Sequence, residues 1–136
     1  MKNNTDIGLL VFRLGFGFYM LFGHGWGKML NLFAGDFQFA SIFGLPESIS
    51  LGLAVFGEVL CSILIIVGFK TRLAAIPAAF TMFVAAFVAH GSDPWFAANA
   101  NGGGSKEMAL LFFLAFTGIA FLGAGKFSLD SLNQNK

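Results

Sequence analysis

The chain has 136 residues, 57% of them hydrophobic and only 11% charged, with a mean hydropathy of +0.78 and a net charge of +1. Soluble domains carry about 25% charged residues, and a soluble chain this short could not cover so much apolar side chain, so lipid is the expected solvent. The near-neutral charge and the lack of a basic run exclude a nucleic-acid footprint, and the lone Cys61 excludes an internal disulfide and any Cys-based metal spacing.

Four segments approach the length needed to cross hydrocarbon, about 17–25 residues. They are roughly 7–26, 49–69, 73–90 and 107–123. Together they predict an all-α membrane protein, a four-transmembrane-helix bundle forming a single domain over residues 1–136. Lys2 and the apolar run after it resemble a secretory signal. However, Arg13 interrupts the run, which is also too long, so it is read as a retained first helix.

The loop over 29–48 is rich in Phe. Phe33, Phe37 and Ala40 share a helical face, which predicts an interfacial helix over about 35–43 lying on the membrane, ended by Gly44-Leu45-Pro46. Only Lys70, Thr71 and Arg72 separate the second span from the third, which makes a tight helical hairpin. Pro77 falls in about the first turn of the third span, where a missing N–H is tolerated. In the loop over 91–105, Trp95 and Phe96 are expected at the headgroup layer. Asn99 to Ser105 reads equally as a lid and as a slack connector. Asn133 to Lys136 is expected to be disordered.

Lys2, Lys70, Arg72, Lys126 and Lys136 flank one side of the spans, and Lys28 and Lys106 the other. This imbalance predicts that both termini face the cytoplasm.

Four ionisable residues interrupt the apolar spans: Arg13, His24, Glu58 and His90. Such groups are costly in a bilayer and usually face a protein interior and one another. Arg13 and His24 are eleven residues apart, within roughly 20° on one helix face. Arg72 and His90 are eighteen apart, five whole turns, and also share a face. Glu58 shares its face with Ala54, Cys61 and Ser62. At about 1.5 Å per residue, Glu58 lies about 16 Å above the cytoplasmic edge, both histidines about 25 Å and Arg13 about 9 Å. Side chains lean toward the N-terminus of their own helix, so Glu58 and the histidines converge.

The expectation is an outer-half polar pocket of His24, Glu58, His90 and Glu107, rimmed by Lys28 and Lys106. Arg13 and Glu58 form the candidate buried ion pair. Each member also has a structural reading: an ion pair fixing helix packing, a carboxylate at a helix N-terminus for Glu107, satisfied polar groups for the histidines. Two level histidines also suit a haem iron, but a haem needs a larger bundle or a partner, and no metal site is expected. Gly23 and Gly27 make a GxxxG that favours close helix approach.

In order and spacing the chain resembles the DoxX family of small four-helix membrane proteins. The matching pieces are Arg13, His24-Gly25-Trp26-Gly27-Lys28, Gly44-Leu45-Pro46, Glu58, Gly68-Phe69-Lys70-Thr71-Arg72, His90, Lys106-Glu107 and Gly123-Ala124-Gly125-Lys126-Phe127-Ser128-Leu129-Asp130. Cys61 and Ser62 stand where the family often has small glycines, which changes the packing beside Glu58. The resemblance implies a multi-pass protein of the bacterial inner membrane. Some relatives are linked to membrane redox complexes with quinone as acceptor, others to oxidative-stress or thiol systems.

Two function classes follow. One is an accessory or quinone-interacting subunit of a membrane redox system, acting with a membrane or periplasmic redox partner protein. In it the histidines donate to quinone carbonyls and Glu58 exchanges protons. The other is a non-catalytic scaffold, a homo-oligomer or a small-molecule carrier, whose buried charges fix helix packing. No triad, phosphate loop or metal box is present, so an enzyme acting alone is not expected.

Overall fold

A computed structural model describes residues 2–96 and 105–134. Among these residues every regular element is helical, and three helices are long and apolar enough to cross a membrane. Helix α1 runs continuously from Lys2–Met20 through a π-turn at Leu21–Gly25 into Trp26–Ala34. Helix α2 is Glu47–Val67, α3 is Thr71–Ala89 and α4 is the shorter apolar helix Glu107–Leu122. A last short helix, α5, spans Leu129–Gln134.

Helices α2, α3 and α4 fall within a few residues of the spans expected from hydropathy. Helix α1 is longer than expected. Nothing stops it at Trp26, because neither a proline nor a left-handed cap follows there. It ends only at Gly35, whose φ of +73° closes the helix. Lys28 therefore sits on a helix, one turn beyond His24, and not on a loop.

The expected interfacial helix over about 35–43 does not form. Residues 36–46 form no helix and make a strap. Local side chains compete for the backbone. Asp36 Oδ1 accepts the Gln38 N–H (3.2 Å), Ser41 Oγ donates to the Leu45 carbonyl (2.7 Å), and Ser50 Oγ accepts the Ile42 N–H (3.1 Å). Phe43 (φ +54°) and Gly44 (φ +74°) then turn the chain into α2.

Helix α1 packs on α2 and α4, and α3 packs on the same two. Small residues on α3 (Ala74, Ala75, Ala78, Ala79) are buried against large ones on α4 (Phe112, Phe116, Ile119), and Met20, Cys61 and Ile65 complete the core. Close approach of α1 and α2 rests on Gly17 and Gly25. A Cβ on Gly17 would meet Ile66 Cγ1 at 2.6 Å, and one on Gly25 would meet Val59 Cγ2 at 2.7 Å and the Glu58 carbonyl oxygen at 3.0 Å. Gly57 does the same between α2 and α3, against Thr81 Cβ at 2.9 Å. The GxxxG glycines, Gly23 and Gly27, face open space within the chain. Helix–helix contact thus depends on a different set of glycines.

Pro77 lies one turn deeper in α3 than the sequence suggests, inside the helix. It leaves the Leu73 carbonyl without its i+4 donor. The proposed lid over Asn99 to Ser105 lies, except for Ser105, outside the described residues. At the tail, α5 includes Asn133 and Gln134, while Asn135 and Lys136 lie outside the described residues.

Candidate functional site

Three π-turns interrupt the long helices, each closed by an i→i+5 bond: Trp26 N–H to the Leu21 carbonyl, Cys61 N–H to that of Phe56, and His90 N–H to that of Ala85. The first contains His24, the second contains Glu58 and the third ends at His90. Single π-turns inside α-helices recur at functional sites, because the extra residue re-aims neighbouring side chains.

Glu58 is buried, its side chain 3% exposed, and it accepts two bonds from Lys28 Nζ at 2.6 and 2.7 Å. Lys28 is 30% exposed and its Nζ also lies 5.8 Å from the centre of the Phe39 ring. The bare backbone of Gly25 lets α1 approach α2 at this level.

The Lys28–Glu58 pair forms one wall of a cavity of about 430 Å³ between α1, α2, α3 and the strap. Ser50, Thr81 and His90 are its other polar lining side chains. The rest is apolar: Phe39, Ala40, Ile42, Phe43 and Leu45 from the strap, Leu53, Ala54 and Phe56 from α2, and Pro77, Phe80, Val84, Ala85 and Ala89 from α3. Leu53, Phe56 and Phe80 are exposed on the outer surface of the bundle, so the cavity opens sideways between α2 and α3. A mostly apolar cavity of this size with a few convergent polar groups is the usual form of a small-ligand site.

Of the residues that the sequence assigns to a pocket, the structure brings Lys28, Glu58 and His90 together around this cavity. His90 stands at its edge, with Nδ1 2.7 Å from Asp93 Oδ2. His24 lies elsewhere. Gly25 is the residue that faces α2, and His24, about 100° further round, lines a separate groove between α1 and α4. There its ring meets Phe112 edge-on at 5.4 Å. The two histidines therefore do not face a common cavity that could take a haem. Lys106 is buried with its Nζ 5.0 Å from the centre of the Trp95 ring, and Glu107 begins α4. Neither lines the cavity. Among the described residues no group of three His, Cys, Asp or Glu side chains is placed to hold a metal ion.

The expected Arg13–Glu58 pair does not form. Arg13 is 1% exposed at the other end of α2, where its Nε donates to the Ile65 carbonyl (3.0 Å). Nη2 donates to those of Ile66 (3.2 Å) and Phe127 (3.1 Å), and Nη1 to that of Ala124. Ile65 and Ile66 lie in the last turn of α2, where carbonyls lack intrahelical donors and the helix dipole favours a cation. Glu58 is seven residues back along α2, about 10 Å, and Lys28 lies directly opposite it.

The strap, Pro77 and Thr81 were not legible as site residues. Their contribution appears only when the strap closes over a gap beside α3. The one local signal was a glycine beside each polar position, Gly25 next to His24 and Gly57 next to Glu58.

The fold and cavity define a small helical membrane protein with a laterally open, mostly apolar site that carries one charged wall. A family model described as DoxX matches residues 8–91, which include the Lys28–Glu58 pair and the whole cavity lining. The chain belongs to the DoxX family. It is 36% identical over 115 residues to a Haemophilus influenzae protein described as uncharacterized, covering 83% of this chain and 81% of that one. No solved structure matches it.

Proposed function

We propose that this protein is a single-domain, four-span subunit of the bacterial inner membrane, both termini cytoplasmic, whose outer-half cavity binds the head of a lipid-soluble quinone for a membrane redox partner. The observation that carries this reading is the Lys28–Glu58 pair in the wall of an apolar cavity that opens toward lipid. A quinone head offers carbonyl acceptors on a flat apolar ring. Lys28 Nζ donates to one carbonyl, and His90 is the donor at the far edge. Glu58 holds the ammonium in place and is the carboxylate within reach of a proton on that side. Phe39 and Phe43 screen the ring from water, and the tail leaves past Leu53 and Phe80 into the bilayer. A bound quinone would supply electron-acceptor chemistry, with the electrons coming from the partner protein.

The test is purification in mild detergent, followed by extraction of bound lipid and by thermal unfolding with a decyl benzoquinone. Quinone should co-purify, and the decyl compound should raise Tm for the wild type but not for Ala89→Trp, which fills the cavity from its rim. No co-purified quinone and no Tm shift would sink the reading.

The scaffold reading has its own support, because the Lys28–Glu58 pair also fixes the register of α1 against α2. It predicts that Lys28→Met with Glu58→Leu keeps partner association and activity, whereas the quinone reading predicts their loss.

A further inference from the structure

At the end of the bundle away from the cavity, α3 begins at Thr71 with basic residues on both sides of its first position, Lys70 and Arg72. Cations at a helix N-terminus oppose the dipole and need compensation. Asp130 from α5 supplies part of it. Its Oδ1 accepts the Lys70 N–H (2.6 Å) and its Oδ2 the Thr71 N–H (2.9 Å). Both oxygens are thus engaged with main chain, not with a side-chain cation.

Asp6 is engaged as well. Its Oδ1 accepts the Lys126 N–H at 3.1 Å and its Oδ2 lies 3.9 Å from Lys126 Nζ. The Lys70 ammonium rests 5.8 Å from the centre of the Phe69 ring. The Arg72 guanidinium lies along Gly123, whose added Cβ would meet Nε at 2.9 Å. Among the described residues neither Lys70 nor Arg72 forms a salt bridge. Exposed apolar side chains stand beside these charges: Leu73 is 65% exposed, Leu132 is 63%, and Phe127 and Leu129 are also exposed.

Exposed cations that have no salt-bridge partner among the described residues, bordered by exposed Leu and Phe, match a membrane surface bearing negative headgroups. We propose that this end of the molecule binds an anionic phospholipid. The phosphate is held by Arg72 and Lys70, and the acyl chains lie along Leu73 and the apolar side chains of the Phe127–Leu132 segment. Arginine suits the role because its guanidinium can make two parallel bonds to one phosphate. The site is separate from the cavity and does not depend on what the cavity holds.

The experiment uses the full chain in detergent, with phosphatidylglycerol or phosphatidylcholine added and bound lipid counted by native mass spectrometry. Phosphatidylglycerol should be retained in preference to phosphatidylcholine. Each interfacial cation contributes about fivefold in affinity, so Arg72→Gln with Lys70→Gln should weaken it by about tenfold or more. Millimolar inorganic phosphate should not displace it. Should the double variant fail to fold, the wild type's preference must still fall as salt is raised. Equal retention of the two lipids, no salt dependence, or a folded double variant that binds as before would overturn the proposal. Displacement by inorganic phosphate would overturn the lipid as occupant and leave a free-phosphate site.

Discussion

Arg13 and Glu58 show two ways of keeping a charge out of lipid. Glu58 has a direct counter-charge, and removing one partner of such a pair leaves a buried charge unanswered. Glu58→Gln should lower stability by roughly 3 kcal/mol, at the low end of the range for buried pairs because Lys28 is partly exposed. Lys28→Met with Glu58→Leu should recover most of that loss, since apolar replacement of both partners is often neutral. Thermal unfolding in a single detergent checks both. A double variant no better than the single one would mean that the pair itself holds the helices together. Arg13 is held by four main-chain carbonyls from two chain segments. Arg13→Leu would leave the Ile66, Ala124 and Phe127 carbonyls without this donor, while Ile65 keeps the Gly68 N–H at 3.2 Å, and Tm should fall further than for Glu58→Gln, because several acceptors lose partners at once.

Between helices, packing depends on which glycines face a neighbour. Gly25→Val and Gly57→Val force side chains into the Glu58 main chain and Thr81, and each should cost about 1–3 kcal/mol, as overpacking does. Gly23→Val and Gly27→Val meet open space and should leave stability within about 0.5 kcal/mol of the wild type. Equal losses at all four positions would refute this assignment.

The start of α3 adds a pH dependence. Burial pushes the Asp130 carboxyl up, but the N–H bonds from Thr71 and Lys70 and the Arg13 charge outweigh it and hold it below the usual carboxylate range. A depressed carboxylate stabilises the fold above its unfolded pKa of about 3.9 and loses that contribution as pH falls through the lower folded value. Docking of α5 should therefore hold at pH 5 and loosen progressively below about pH 4. Asp130→Asn should loosen it at pH 5 and flatten the acid dependence, as read by hydrogen exchange at Lys70 and Thr71.

Across the whole molecule, the two ends of the bundle do different work. One end carries the cavity, the ion pair and the strap. The other is tied by Arg13 to the segment after α4. Deleting residues 123–136 removes two of the four Arg13 acceptors, Ala124 and Phe127, together with Asp130. The truncated chain should lose stability although no span is touched. A truncation with unchanged Tm would show that the tie is ornamental.

Composition and hydropathy by themselves determined that this chain lives in lipid, roughly where α2, α3 and α4 lie, and which few side chains cannot face hydrocarbon. These follow from local quantities: the apolar length needed to cross a bilayer and the cost of an ion within it. Which ion meets which was beyond periodicity. Spacing along a helix fixes a side chain's height and rough direction, but each π-turn shifts that direction, and Gly25 lets α1 approach where sequence marks only a small residue. Those effects sent Glu58 to Lys28, Arg13 to the end carbonyls of α2, and His24 into the groove between α1 and α4. The cavity exists only because separate helices and a strap distant in sequence close around one gap.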